Sequence, residues 1–287
     1  FDVFAIDCGA EYFRDFMIQG KYDFVLNLSA MKHVRSENSG FSMLRMLDTN
    51  IVNSVYVHKI CDEIGVQKYF AVSTDKATNP VNFMGATKRA MEMCLMANAY
   101  VTPVSGARFA NVAFSNGSLL EGFVRRIEKR QPISVPTDIN RYFITDTEAG
   151  IICLFSSILG QRNEIYFPKN MAEIGLTDFV TIATNFLASR GLELVACYSE
   201  DETKNKMASL DLEKYWPVNL FVSDTVGEKS FEEFYDKNEE LIKKEFVDLG
   251  AIKFKSQTTS EEILKLINNI KSIFEALVLR NTINMWD

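Results

Sequence analysis

The stretch KYFAVSTDKATNPVNFMGATK, Lys68 to Lys88, restricts the fold of this chain more than any other. It begins with the apolar and aromatic run Lys68-Tyr-Phe-Ala-Val72, which has the length of a buried strand. Two hydroxyls, a carboxyl and an amine follow directly in Ser73-Thr-Asp-Lys76. In parallel-sheet proteins, ligand sites are assembled at the carboxyl ends of the strands. Asn79-Pro80 then marks a loop, because the proline ring drives the preceding residue out of the helical region. A helix is predicted from Asn82 to about Asn98, with Met84 and Lys88 four apart on one face. The Lys88 amine can therefore reach back to the strand end that carries Asp75 and Lys76.

The same alternation extends to either side. Phe1 to Ile6 reads as a strand with Asp7 at its end, Glu11 to Gln19 as an amphipathic helix, and Tyr22 to Leu28 as a second strand closing on Ser29-Ala-Met-Lys-His33. A long helix is predicted from Phe41 to Ile64, since Leu44, Leu47, Ile51 and Val55 recur at spacings of three and four and Gly65 stands where a helix C-cap belongs. Thr102 to Phe109 is a further strand. Strands and helices alternating over short connections imply a parallel sheet. Residues 1–114 are accordingly read as a doubly wound α/β domain.

From Ser115-Asn-Gly117 the pattern changes to short strands and polar loops mixed with helices, and residues 115–287 are read as a smaller mixed α/β lobe with some chain returning to the sheet. Helices are expected at Ser118–Arg130, at Ala149–Leu159 behind a capping box of Thr145 and Glu148, and from an N-cap at Thr177 to about Ser189. Short extended pieces are expected at Pro132–Val135, Arg141–Ile144, Glu164–Phe167 and Leu192–Ala196. Ser199–Met207 is charged and expected to be exposed, and a helix is expected from Ser230. The terminal helix, Ser260–Leu279, carries Ile263, Leu266, Ile270 and Ile273 as a core or interface stripe.

Composition narrows the function classes. The 38 acidic against 31 basic residues leave a net charge of -7, which disfavours non-specific binding to nucleic acid. No apolar run is long enough to span a bilayer and the first residues lack the regions of a signal peptide. The five cysteines are odd in number and show no CxxC pairing, so reduced thiols in a cytoplasmic protein are expected. His33 and His58 have no ligand spacing, and no metal site is expected.

Five motifs in order carry a resemblance that runs from about Asp7 to Glu233. They are Ser29-Ala-Met-Lys-His-Val34; Ser73-Thr-Asp-Lys-Ala77 with Asn79-Pro80 and Met84-Gly-Ala-Thr-Lys88; Ala107-Arg-Phe-Ala-Asn-Val112 with Ser115-Asn-Gly-Ser118; Arg141-Tyr-Phe-Ile144; and Gly227-Glu-Lys-Ser-Phe-Glu-Glu233. Together they resemble the extended short-chain dehydrogenase/reductases, and more narrowly the UDP-N-acetylglucosamine 4,6-dehydratases of polysaccharide biosynthesis. The resemblance implies a Rossmann-type fold, NAD or NADP as cofactor, a UDP-sugar substrate, and a homo-oligomer paired through the Phe41–Ile64 and Asn82–Asn98 helices. The family's GxGxxG loop, which holds the dinucleotide pyrophosphate, does not occur in this sequence. The first two strand–helix units are therefore expected to lie outside it, and residues 1–114 to form an incomplete dinucleotide-binding domain.

The implied reaction moves hydride from carbon 4 of the sugar to the nicotinamide, removes water across carbons 5 and 6, and returns the hydride to carbon 6. The resemblance assigns Lys76 as the base at carbon 5, provided burial and Lys88 lower its pKa, and Asp75 as the acid for the leaving hydroxyl. Thr74 would hold the carbon 4 oxygen. Met84 stands where most of the superfamily has the catalytic tyrosine, so the acceptor of the carbon 4 hydroxyl proton is left open. Asp7, Ala30, Lys32, Ser73 and Lys88 would contact the dinucleotide. Met84, Asn111, Ser118, Arg141 and Glu228 would face the UDP-sugar, with the Arg141 guanidinium matched to the diphosphate. Plainer readings stand beside these: a surface ion pair for Asp75 and Lys76, core filling for Met84, a satisfied turn for Asn111. A 4-epimerase, a dehydratase that also inverts carbon 5, and a non-catalytic nucleotide-sugar-binding homologue are the alternatives.

Overall fold

The computed structural model describes residues 1–97, 99–169, 175–223, 232–242 and 246–284. In chain order the first elements are α1 (Phe13–Gly20), β1 (Phe24–Asn27), α2 (Gly40–Leu47), α3 (Asn53–Ile64), β2 (Lys68–Thr74), α4 (Phe83–Leu95), β3 (Val104–Phe109) and β4 (Asn111–Val112). Next come α5 (Leu119–Glu128), β5 (Ile133–Pro136), β6 (Asn140–Arg141), β7 (Phe143–Ile144), α6 (Asp146–Leu159), β8 (Glu164–Pro168), β9 (Thr177–Asp178) and α7 (Phe179–Ala188). The last are β10 (Glu193–Cys197), α8 (Glu200–Ser209), β11 (Tyr215–Phe221), β12 (Glu240–Ile242), β13 (Leu249–Lys253) and α9 (Ser260–Asn284).

The chain divides into two compact units. The first comprises Phe1–Phe109, Ile151–Lys169 and Glu233–Asp287, the second Ala110–Gly150 and Asn170–Glu232. The boundary was expected at 114/115 with some later chain returning to the sheet; the first continuous segment of this unit ends at Phe109, and two later segments return to complete it.

Among the described residues, the first unit holds a six-stranded sheet ordered β1-β2-β3-β8-β13-β12. The first four strands are parallel, and β13 and β12 add an antiparallel edge. The sheet is thus parallel-dominated but mixed. Tyr69, Phe70, Ala107, Ile165, Tyr166 and Ile252 are buried to within 1% of their surface and form its core. β2 runs two residues further than its apolar run, because Ser73 and Thr74 stay in register with Arg108 and Phe109 of β3. The predicted strand at Phe1–Ile6 does not form: a strand is defined by ladder bonds to a neighbour, and among the described residues this segment makes none. The predicted Phe41–Ile64 helix is present but wound through a π-helical turn at Asp48–Val52. It ends on Gly65, whose φ of 75° is the left-handed cap conformation. On α9, Ile263 and Ile270 are buried while Ile273 is exposed.

The second unit has a three-stranded parallel sheet, β10-β11-β5, packed with α5 and α7 around Phe123, Ile133, Val135, Leu187, Trp216 and Val218. The Thr145–Glu148 capping box forms as read, with Thr145 N–H donating to Glu148 Oε2 at 2.6 Å and Glu148 N–H to Thr145 Oγ1 at 3.2 Å. The cap of α7 is Asp178 rather than Thr177, since the Asp178 carboxylate accepts Thr181 N–H at 2.7 Å. The charged Ser199–Met207 segment is α8, capped by the Ser199 hydroxyl.

Candidate active site

The candidate site grows from the carboxyl end of β2. Beyond Thr74 the chain makes one 3-10 turn, Asp75–Ala77, which the Thr74 hydroxyl caps by accepting Lys76 N–H at 3.3 Å. The same hydroxyl donates to Asp75 Oδ1 at 2.8 Å, and Lys76 Nζ lies 3.2 Å from that oxygen. The Asp75 side chain is 3% exposed and that of Lys76 26%, so the pair is not a solvated surface contact. A hydroxyl, a carboxyl and an amine therefore meet at one oxygen atom.

Asn79 then takes φ 45°, a left-handed conformation that asparagine tolerates, and turns the chain toward α4. Asn82 caps that helix by accepting Gly85 N–H at 2.8 Å. Glu37 supplies a second cap, its carboxylate accepting the N–H groups of Phe83 and Met84 at 3.2 and 2.8 Å. The helix start lies directly against the Asp75–Ala77 turn: a Cβ on Gly85 would stand 2.3 Å from the Lys76 carbonyl oxygen. Only glycine permits this approach.

Lys88, one turn into α4, is 3% exposed. Its amine donates to the Val72 carbonyl at 3.0 Å and lies 3.5 Å from Met91 Sδ. It reaches back to the strand end that carries Asp75 and Lys76, as its spacing implies, and binds the backbone there. Burial pushes its pKa down to about 8, against the opposing pull of Glu92. Ser73 is also buried, and its hydroxyl donates to Glu92 Oε1 at 2.6 Å. Met84 is 3% exposed.

The loop after β1, which carries half-buried Ala30 and exposed Lys32, is tied to α4 by Asn50. The Asn50 amide accepts Met31 N–H at 2.9 Å, donates to Met31 O at 3.0 Å, and donates to Thr87 Oγ1 at 2.9 Å. Asp7 is exposed, accepting Gly9 N–H at 2.8 Å and lying 3.6 Å from Arg45.

The other predicted residues belong to the second unit. Asn111 Nδ2 donates to Glu232 Oε1 at 2.6 Å, and Arg141 Nε lies 3.6 Å from the same oxygen. Both are gathered on Glu232, which sequence reasoning did not single out. The Ser118 hydroxyl accepts Glu121 N–H at 3.1 Å as the N-cap of α5. Glu228 lies outside the described residues.

A dinucleotide finds part of a seat here. The strand end with the buried Lys88 amine beneath it suits the nicotinamide half, whereas the sequence offers no glycine-rich loop for the pyrophosphate.

The family described as polysaccharide biosynthesis protein matches residues 8–253. EpsC of Bacillus subtilis, a probable polysaccharide biosynthesis protein, is 31% identical over 230 residues, covering 78% of this chain and 34% of EpsC. The UDP-N-acetylglucosamine 4,6-dehydratase (inverting) of Campylobacter jejuni is 36% identical over 156 residues, covering 51% of this chain and 46% of that protein. The chain spans half or less of the length of these relatives. Among solved structures, a double mutant of DesIV, a dTDP-glucose 4,6-dehydratase from Streptomyces venezuelae with NAD bound, matches with a TM-score of 0.59 at 14% identity, over 93% of this chain and 77% of that one. The sheet order agrees with the Rossmann-type likeness of the solved structures, and the family match covers most of the sequence: the chain belongs to the polysaccharide biosynthesis protein family.

Proposed function

We propose that this chain carries the catalytic residues of an NAD- or NADP-dependent UDP-N-acetylglucosamine 4,6-dehydratase, making a 4-keto-6-deoxy sugar nucleotide for surface glycans or protein glycosylation. The observation that carries the reading is the convergence of Thr74, Asp75 and Lys76 on Asp75 Oδ1, at 2.8 and 3.2 Å, on a largely buried turn. The dinucleotide, when bound, supplies the hydride acceptor for carbon 4 and the donor for carbon 6.

The chain supplies the proton chemistry. Lys76 takes the proton from carbon 5, which the ketone at carbon 4 has acidified, and Asp75 protonates the hydroxyl leaving carbon 6. Lys76 then returns its proton to carbon 5. The balance leaves Asp75 one proton short, and the carbon 4 hydroxyl has released one. Thr74, bonded to Asp75 Oδ1, is placed to pass that proton on once its own oxygen holds the carbon 4 oxygen. Met84 cannot take it, having no ionisable group. Lys88 would bond the nicotinamide ribose, with Ala30 and Lys32 along the trough, the Ser73 backbone beside them while its hydroxyl is held by Glu92, and Asp7 toward the adenine. For the UDP-sugar the second unit offers Asn111, Ser118, Arg141 and, outside the described residues, Glu228.

The test is turnover of UDP-N-acetylglucosamine by the full-length protein with NAD or NADP, followed by NMR in deuterated water. A 4-keto-6-deoxy product lost in Lys76→Ala supports the reading; undiminished turnover in that variant removes Lys76 as base. An inactive wild-type protein that still binds UDP-sugar would be a nucleotide-sugar sensor instead. A second outcome, inversion at carbon 5, is favoured by the relative named as inverting. It depends on which face of carbon 5 Lys76 reprotonates, and the product's coupling constants decide it. A homo-oligomer paired through α2, α3 and α4 remains part of the proposal, to be tested by light scattering.

A further inference from the structure

Behind the catalytic turn lies a cluster of four charged side chains, and its location relative to Ser73 assigns it a role. Glu92 on α4 is 1% exposed and Arg108 on β3 is fully buried. Glu92 Oε1 accepts the Ser73 hydroxyl at 2.6 Å and Arg108 Nε at 2.9 Å, while Oε2 accepts Arg108 Nη2 at 2.8 Å and Arg89 Nη1 at 3.3 Å. Arg108 Nη1 donates to Glu239 Oε2 at 2.7 Å and to the Phe234 carbonyl at 2.9 Å, and Nη2 reaches Glu239 Oε1 at 2.9 Å. Arg89 Nη1 closes the ring on Glu239 Oε1 at 2.7 Å. All five Arg108 N–H groups can be spent on these acceptors. Two arginines and two glutamates also leave the cluster without net charge.

Such a cluster is a poor device for stability alone, since desolvating the charges cancels most of their attraction and apolar residues would serve as well. What apolar residues could not do is hold the Ser73 hydroxyl. Ser73 and Thr74 are consecutive strand residues and point to opposite faces of the sheet. Fixing Ser73 toward α4 therefore fixes Thr74, and the turn it caps, on the other side. Two successive turns of α4 do this together: Lys88 grips the Val72 carbonyl and Glu92 the Ser73 hydroxyl.

We propose that Glu92 is a positioning residue for Thr74, Asp75 and Lys76, acting through the Ser73 hydroxyl and itself held by Arg108 and Glu239. The proposal rests on the dehydratase reading for its effect on turnover, but not for its effect on the turn.

The test uses the full-length protein and the variants Ser73→Ala, Ser73→Thr and Glu92→Gln. Hydrogen exchange by mass spectrometry follows the Lys76 and Thr78 amides, which are bonded within the turn. Ser73→Ala is expected to speed their exchange about tenfold, the lower end of what a hydrogen bond to a buried charged group contributes. It is also expected to lower kcat by about the same factor with both KM values within about twofold. Ser73→Thr, which restores the hydroxyl, is expected to restore both. Glu92→Gln should match Ser73→Ala; if it fails to fold, Ser73→Ala still decides. Unchanged exchange in Ser73→Ala overturns the proposal whatever the activity, as does faster exchange with unaltered kcat. A raised dinucleotide KM in Ser73→Ala alone also overturns it, making Ser73 a direct cofactor contact. If the wild-type protein turns over no nucleotide sugar, the dehydratase reading falls, and the exchange data still determine whether Glu92 holds the turn.

Discussion

Gly85→Ala should separate activity from stability in this protein. Gly85 sits in the first turn of α4 with no strained backbone angle, so alanine is intrinsically the better helix residue there by about 1 kcal/mol. Its methyl group, however, would stand 2.3 Å from the Lys76 carbonyl oxygen, and real Cβ contacts stay beyond 3.0 Å. Helix and turn must part by at least 0.7 Å (3.0 minus 2.3). Overpacking of this kind costs about 1–3 kcal/mol, which the helix preference partly offsets, leaving a net loss of roughly 0–2 kcal/mol. The effect on chemistry is larger, because the atom that moves belongs to Lys76 itself. A displacement of about 1 Å at reacting groups costs on the order of a hundredfold in rate. A fall in kcat of about ten- to a hundredfold, with a Tm within a few degrees of wild type, is therefore expected from steady-state kinetics and thermal unfolding. A Gly85→Ala protein with kcat within twofold of wild type would refute the claim that α4 sets the position of the proposed catalytic turn.

Further predictions concern charge. His58 is 1% exposed, its Nε2 bonds the Thr102 carbonyl at 3.1 Å, its ring lies against Tyr69 and Tyr100, and burial pushes its pKa down to about 4. The folded state thus favours the neutral ring, so its contribution is fully present above pH 6.5 and is lost as pH falls toward 4. With 1.36 kcal/mol per unit, that loss is about 3 kcal/mol, measurable by urea unfolding across the interval and absent from His58→Gln. Glu239 continues the trend at lower pH: burial would raise its pKa, but hydrogen bonds and charge from Arg108 and Arg89 overcome this and hold it at about 2, so stability drops further as Glu239 protonates. Asp75→Asn keeps the shape of the turn and removes the acid, and kcat should fall about 10²–10⁴-fold with KM little changed; a variant that keeps a tenth of wild-type kcat would disqualify Asp75.

The elements legible in the sequence were those whose signals are local. Lys68–Val72 announced a buried strand by composition, Gly65 a helix end, Thr145 and Glu148 a cap, and each signal lies within a few residues of what it specifies. Elements defined by distant partners were read poorly. Phe1–Ile6 has strand composition and finds no ladder among the described residues, and α8 is so polar that its helix is announced only by the Ser199 cap. The candidate site divides the same way. Thr74, Asp75 and Lys76 converge through bonds spanning one or two residues. Glu232, which collects Asn111 and Arg141, is 121 residues from Asn111.

The most consequential residues that sequence reasoning missed all act on one element. Glu37 caps α4 from before it, Asn50 ties its Thr87 to the loop after β1, and Glu92 joins it to Ser73. With Gly85 against Lys76 and Lys88 on Val72, the helix is fixed at successive turns to every strand end that carries a candidate ligand residue in the first unit. Apart from the Gly85 contact and the half-buried Glu37, each tie uses a buried polar side chain, and a buried polar group must keep its partner or forfeit its solvation. The ties are therefore mutually dependent: loosening one frees a donor or acceptor that has nowhere else to go. A helix held in this way behaves as a fixed gauge between neighbouring strand ends, setting the spacing of hydroxyl, carboxyl and amine. Such a spacing must hold to a fraction of an ångström if one turn is to give a proton to one carbon's oxygen and take another from its neighbour.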